Sequence, residues 1–296
     1  MLNLDGPPSA RPESESLTIT ITAPEVPASM TEPESSAPPA IDVHLHDRFP
    51  GAPFPPFDAV GYQQALDASG IVAGVSSSAT AIFHELKRGN DQQEALLEAI
   101  PSLRGYVVVD PRYPDESAEE LRRLEHEPRW IGVKVHCAHS RTLTNASSFA
   151  RLIDMVAEFE RPMLIHPLGE DWPEAMCALA RSHPRMTLIA AHAGYGDGPH
   201  PTHDAALRVA DVDNIVIEFC STYLARGAIR RGIEAVGVER VLFGSDFPLI
   251  SLPYMRTAYV EAELTADEAS RVYWQNALRL FPELKTATEG RLPGSV

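Results

Sequence analysis

The stretch Ala40-Ile-Asp-Val-His-Leu-His46, followed by Asp47, decides the fold. Its apolar run, Ala40–Leu45, is short and rich in β-branched residues, as a strand covered on both faces should be. A doubly wound open sheet would follow such a first strand with a glycine-rich phosphate loop. Here the strand ends in His-Leu-His-Asp instead. Seven more apolar runs follow, at Ile71–Val75, Gly105–Val109, Ile131–Val135, Met163–Ile165, Thr187–Ala191, Ile215–Phe219 and Val241–Phe243.

Segments of helical period separate these runs. Asn90–Ile100 starts at a capping residue, Asn90, and stops before Pro101. Ser147–Glu160 places Phe149, Leu152, Ile153, Val156 and Phe159 on one face. Ser117–Glu127, Glu174–Ser182, Asp204–Val212 and Ala225–Val236 repeat the pattern. In Thr265–Leu280, Thr265 and Glu268 form a capping box. Strands alternating with helices imply parallel βαβ units, and eight of them in about 250 residues predict an α/β (β/α)8 TIM barrel.

The barrel is expected over residues 41–296. Residues 1–40 carry eight prolines, six serines, six acids and one base, Arg11. Such a stretch buries too little apolar surface to offset its ordering entropy, so a disordered tail is expected. Leu17–Thr22 alternates like a strand but has no partner nearby. Met30 could itself be a translation start, which would leave residues 1–29 outside the natural protein. Intact mass from the native host checks this; a mass starting at Met1 would sink it.

The chain has 296 residues, 44% of them hydrophobic, and a formal charge of −16. That charge repels phosphate backbones and anionic lipid surfaces, so neither nucleic acid nor a membrane is an expected partner. A small-molecule substrate is, because a local pocket can oppose the global field. Cys137, Cys177 and Cys220 are too scattered for a disulfide framework and read as small buried hydrophobes. No apolar run long enough to span a bilayer and no secretory pattern occurs, so a cytoplasmic location is expected. A homodimer is the default assembly.

In such a barrel, chemistry sits at the carboxyl ends of the strands. Those ends carry His44 and His46, Lys134 and His136, His166, His192, Glu218 and Asp246. His44 and His46 are two apart on a strand and share a face. If that face points inward, both approach the axis together with His166, His192 and Asp246. Imidazoles plus one carboxylate suit Zn2+ or a similar divalent ion, and a position left for water makes such a site catalytic.

Taken in order, Ile41-Asp-Val-His-Leu-His, Gly132-Val-Lys-Val-His, Leu164-Ile-His-Pro, Ala191-His-Ala-Gly and Leu242-Phe-Gly-Ser-Asp-Phe-Pro resemble the amidohydrolase superfamily. The likeness is greatest to the TIM-barrel metal-dependent hydrolases that include aminocarboxymuconate semialdehyde decarboxylase. It spans roughly residues 41–282, and Trp274-Gln-Asn-Ala-Leu-Arg-Leu-Phe is similar to the closing helix of that branch.

The resemblance implies one divalent ion held by His44, His46, His166 and Asp246, with His192 beside it as a catalytic group. Lys134 stands where binuclear members carry a carboxylated lysine, so a second ion held by His166 and His192 is the alternative. One zinc ion is the expectation.

Three functions follow. The leading one is hydrolysis of an amide, lactam or lactone by metal-activated water, with Asp246 moving the proton. The second is non-oxidative decarboxylation of an aromatic or unsaturated acid. The third is an inactive barrel serving as a binding protein. Arginines at the strand ends would favour decarboxylation, and only Arg48 and Arg141 offer themselves. His136 and His139 could also line the mouth, as second-metal or substrate contacts. Trp172 could wall the pocket. His200 and His203 are expected on the surface, and Glu218 has no assigned direction.

Overall fold

The computed structural model describes residues 38–48, 58–194 and 202–293. The expected tail, the Leu17–Thr22 alternation and His200 lie outside these described residues. All eight expected strands form: β1 (Ala40–His46), β2 (Ile71–Ser77), β3 (Leu103–Val109), β4 (Trp130–His136), β5 (Met163–His166), β6 (Leu188–Ala190), β7 (Ile215–Glu218) and β8 (Val241–Leu242). Each pairs in parallel with the next in chain order. Bonds beyond β8 then return to β1. Val43 N–H donates to Phe243 O at 3.0 Å, His46 N–H to Phe247 O at 2.8 Å, and Asp246 N–H to His44 O at 2.8 Å. The sheet is thereby a (β/α)8 barrel.

Two apolar layers explain the unalternated strands. Outward residues such as Val133, Ile165, Ile215 and Val241 pack with Phe149, Leu152, Met176 and Ile233 of the surrounding helices. Inward residues, among them Ile41, Tyr106, Ile131, Leu164, Val216 and Leu242, fill the interior together with Phe281, Leu284 and Leu292. A strand returns to the same face every second residue. Leu164 is therefore followed inward by His166, and Val216 by Glu218. The apolar interior gives way to ionisable groups at the carboxyl end.

Two helix readings change. The third helix starts at Leu86, and Asn90 is buried inside it rather than capping it. Its side chain accepts from Val108 N–H at 3.2 Å and donates to Glu120 at 3.0 Å. A tertiary partner has overridden the local capping preference. The closing helix has its Thr265–Glu268 capping box, but a wider turn at Arg271–Gln275 divides it. Among the described residues, no helix is long and apolar enough to cross a membrane.

Phe281 is fully buried and meets the Tyr106 ring at 5.9 Å between centroids. Phe281→Ala is expected to cost about 3–5 kcal/mol. Urea unfolding measures this, and a loss below about 1 kcal/mol would show that Phe281 does not seal the interior.

Candidate active site

A cavity of about 360 Å³ opens among the strand ends. His44, His46, His136, His166, His192 and Asp246 line it, with Phe83, Tyr223, Leu249 and Ile250 as its apolar part. Two of these polar residues reach it through left-handed backbone, His192 at φ 60° and Asp246 at φ 61°. Such conformations are uncommon for residues with a side chain and persist only where neighbours enforce them.

The hydrogen bonds determine which histidine nitrogen carries the proton. His44 Nδ1–H donates to Glu218 Oε1 at 2.9 Å, and His192 Nδ1–H to the Cys220 carbonyl at 2.6 Å. His46 Nδ1 has two partners on Ser77, the carbonyl at 3.2 Å and the hydroxyl at 3.1 Å. A carbonyl or carboxylate oxygen only accepts, so a singly protonated His44 or His192 ring keeps its lone pair on Nε2. His192 spends its lone pair on His166, whose Nδ1 lies 3.0 Å away and must donate. His166 is then left with a lone pair on its own Nε2.

His44 and His46 turn their Nε2 atoms toward Asp246 Oδ1, at 3.7 and 3.0 Å. The three donors lie within 4.8 Å of one another. With the Ser77 hydroxyl donating to its Nδ1, His46 can give an Nε2–H to Asp246 Oδ1, and a cation at this point would take the place of that proton. Burial, then the Lys134 charge, holds the His44 imidazole well below its ordinary range. Burial would raise the Asp246 carboxyl, but the His46 bond and the nearby histidines outweigh it and hold the group well below the usual carboxylate range. Because His44 is neutral, the His46 contact is the effective one. The donor set fits a divalent cation: neutral imidazoles, an anionic carboxylate and outer hydrogen bonds that fix the rings.

Lys134 is fully buried, and its Nζ sits 3.0 Å from His44 Nε2. Burial pulls its pKa down to about 8 against the opposing charges of Asp246 and Glu218.

Glu218 is the residue that sequence reasoning left without a role. Its carboxylate accepts from His44 Nδ1–H, from His192 N–H at 2.6 Å and from Cys220 N–H at 2.7 Å. A Cβ on Gly244 would lie 2.8 Å from Glu218 Oε2 and 3.1 Å from His44 Cβ, so glycine is what permits this approach. Cys220 Sγ lies 3.3 Å from His44 Nδ1 and 3.2 Å from His192 Nδ1, and burial keeps the thiol protonated. His44, His192, Glu218 and Cys220 are close enough to suggest a second ion. The backbone N–H groups that fill the carboxylate make the cluster an orienting network instead. The signal was legible, since the two-residue period from inward Val216 lands on Glu218.

The other expected residues divide. His166 joins the site through His192 and stacks on His136, with 3.9 Å between centroids and 14° between planes. Arg48 is exposed beside Asp47, Arg141 is exposed, and neither lines the cavity. His139 packs edge-on to Phe83, and Trp172 is buried in its helix. Phe83, Tyr223, Leu249 and Ile250 were not anticipated, because nothing local in a loop marks which residue walls a distant cavity.

An eight-stranded parallel barrel with histidines and an aspartate converging at its carboxyl end defines a metal-dependent hydrolase or lyase. The amidohydrolase family pattern matches residues 41–282, and the chain belongs to that family. It is 24% identical over 250 residues to the gamma-resorcylate decarboxylase of Rhodococcus jostii, covering 66% of this chain and 75% of that one. Its fold is similar to that of a 2,6-dihydroxybenzoate decarboxylase from Rhizobium, with TM-score 0.65, 16% identity and coverage of 83% and 99% of the two chains. A dihydroxybenzoic acid decarboxylase from Polaromonas, with bound manganese and the inhibitor 2-nitroresorcinol, gives TM-score 0.63 and 16% identity, covering 83% and 97%.

Glu218→Gln keeps the shape but replaces one acceptor oxygen with a donor. It is expected to weaken divalent-ion binding about 10–100-fold, the usual cost of losing such an outer partner. Chelator competition measures it, and unchanged affinity would remove Glu218 from the site.

Proposed function

We propose that the chain is a metal-dependent, non-oxidative decarboxylase of a hydroxylated aromatic or unsaturated carboxylic acid. One observation carries the metal reading: the Nε2 atoms of His44 and His46 converge on Asp246 Oδ1, these donors lie within 4.8 Å of one another, and His166 lines the same cavity. These four residues are our ligand set. The relatives support decarboxylation over hydrolysis, which the motifs alone had placed first. The apolar side of the cavity, with Phe83, Leu249 and Ile250, suits a flat ring.

An ion held by His44, His46, His166 and Asp246 would supply Lewis-acid chemistry to the substrate. Zinc suits the imidazole-rich set, and manganese is the ion of the Polaromonas relative. We keep one ion, because the second cluster of donors is already filled by backbone N–H groups.

Asp246 moves the proton. Its anionic carboxylate takes the proton of the substrate hydroxyl and passes it to the ring carbon that bears the carboxylate. The C–C bond then breaks, its electron pair returns to the ring, and CO2 leaves. A proton from water restores the hydroxyl, so one proton is consumed for each CO2 released. His192 moves from its expected catalytic role to a positioning one, since its Nε2 is engaged by His166. The three unpaired buried cysteines suit a reducing compartment, consistent with a cytoplasmic location.

Zinc- or manganese-loaded protein is expected to release CO2 from 2-hydroxybenzoate-type acids. Chelation should abolish the activity, and Asp246→Asn should lower kcat about 10²–10⁴-fold. Metal analysis should find one ion per chain and intact mass no CO2 adduct on Lys134. Turnover of lactones or amides without CO2 release would restore the hydrolase reading.

A further inference from the structure

The cavity histidines are of two kinds. The Nδ1 of His44 donates to Glu218, and its Nε2, with that of His46, turns toward Asp246. His136 is wired the other way, because its Nδ1 accepts from the backbone N–H of His139 at 3.0 Å. A backbone N–H only donates, so this nitrogen cannot carry a proton, and the neutral ring must hold its proton on Nε2. The same bond excludes the doubly protonated ring, whose Nδ1–H would meet the His139 N–H head on.

The ring is held in place as well as in tautomer. It stacks on His166 at 3.9 Å and meets the Phe83 ring at 6.0 Å. His136 lines the cavity, and among the described residues its Nε2 has no hydrogen-bond partner. An oriented N–H donor has been left for something that enters.

Competing donors for an anion are scarce. Among the described residues no arginine lines the cavity, and neither does Lys134, whose Nζ lies 3.0 Å from His44 Nε2. Segments 49–57 and 195–201, which follow β1 and β6, contain neither lysine nor arginine.

We propose that His136 is the residue that recognises the substrate's carboxylate, through Nε2–H, and that it is not a metal ligand. The inference rests on reading the cavity as one for a carboxylic acid. It replaces the arginine clamp that Arg48 and Arg141 would have formed. A donor fixed in advance costs no reorganisation when the anion arrives, and it discriminates against neutral analogues.

The test compares binding of 2-hydroxybenzoate and of its neutral amide, 2-hydroxybenzamide, by calorimetry on zinc-loaded protein. His136→Phe is expected to weaken the carboxylate about 10–100-fold, the range for losing a bond to a charged group, and the amide, whose carbonyl accepts only a neutral bond, by a clearly smaller factor, on the order of a few-fold. His136→Gln, which retains an N–H near the same place, should recover most of the loss. Zinc content should stay at the wild-type value in both variants.

Loss of zinc from His136→Phe would overturn the proposal by making His136 a ligand. Equal weakening of both probes would overturn it by making the role structural, and so would unchanged carboxylate affinity or a wild-type protein that binds no carboxylate. The decarboxylase reading fails separately. If CO2 is never released but the His136-dependent preference for the carboxylate persists, that reading falls and this one stands.

Discussion

The hydrogen bond from His44 Nδ1 to Glu218 joins strands at opposite ends of the barrel sequence, and the site depends on it. One carboxylate fixes the tautomer of His44, and the same carboxylate receives the backbone N–H of His192. His192 in turn accepts from His166. One buried acid thus sets the His44 ring directly and anchors the backbone of His192, whose ring the Cys220 carbonyl orients toward His166. The arrangement requires that Glu218 be approached closely, which glycine at position 244 allows.

Burial supplies the electrostatics. The chain carries a charge of −16, yet the carboxyl end of its barrel gathers imidazole rings, the Asp246 and Glu218 carboxylates and one lysine shifted to about 8. In a medium of low dielectric the charged forms of His44, His136 and His166 are disfavoured. Asp246 stays ionised against the same penalty because His46 faces it at 3.0 Å. A cation entering there would find its charge already complemented.

Local strain sits on the residues that act. His192 and Asp246 both adopt left-handed backbone, at roughly 1–2 kcal/mol each. The barrel closure offsets it. Asp246 N–H is bound by His44 O, and His192 N–H by Glu218. At Asp246 the seam that closes the barrel and the bond that aims the site are one and the same. Perturbing either one should therefore disturb both, unlike the apolar interior, where Phe281 acts on stability alone.

Most of the barrel was legible in the sequence. Apolar runs mark the strands because both faces are covered, and the two-residue period places His44, His46, His166 and Asp246 at one end. The resemblance carried by the same motifs named the family. What a helix cap or a loop residue would do was less legible, as Asn90 shows, because long-range partners compete with local preference. The proton positions were not legible at all. Whether a histidine offers a lone pair or an N–H depends on what its other nitrogen meets, and for His44 that partner lies 174 residues away. The sequence by itself determined the barrel and the residue types at its mouth, since period and composition are local properties. Only the tertiary structure decided that Glu218 is the hub, that Arg48 and Arg141 stand aside and that His136 faces the cavity as a donor, since each is a contact between distant parts of the chain.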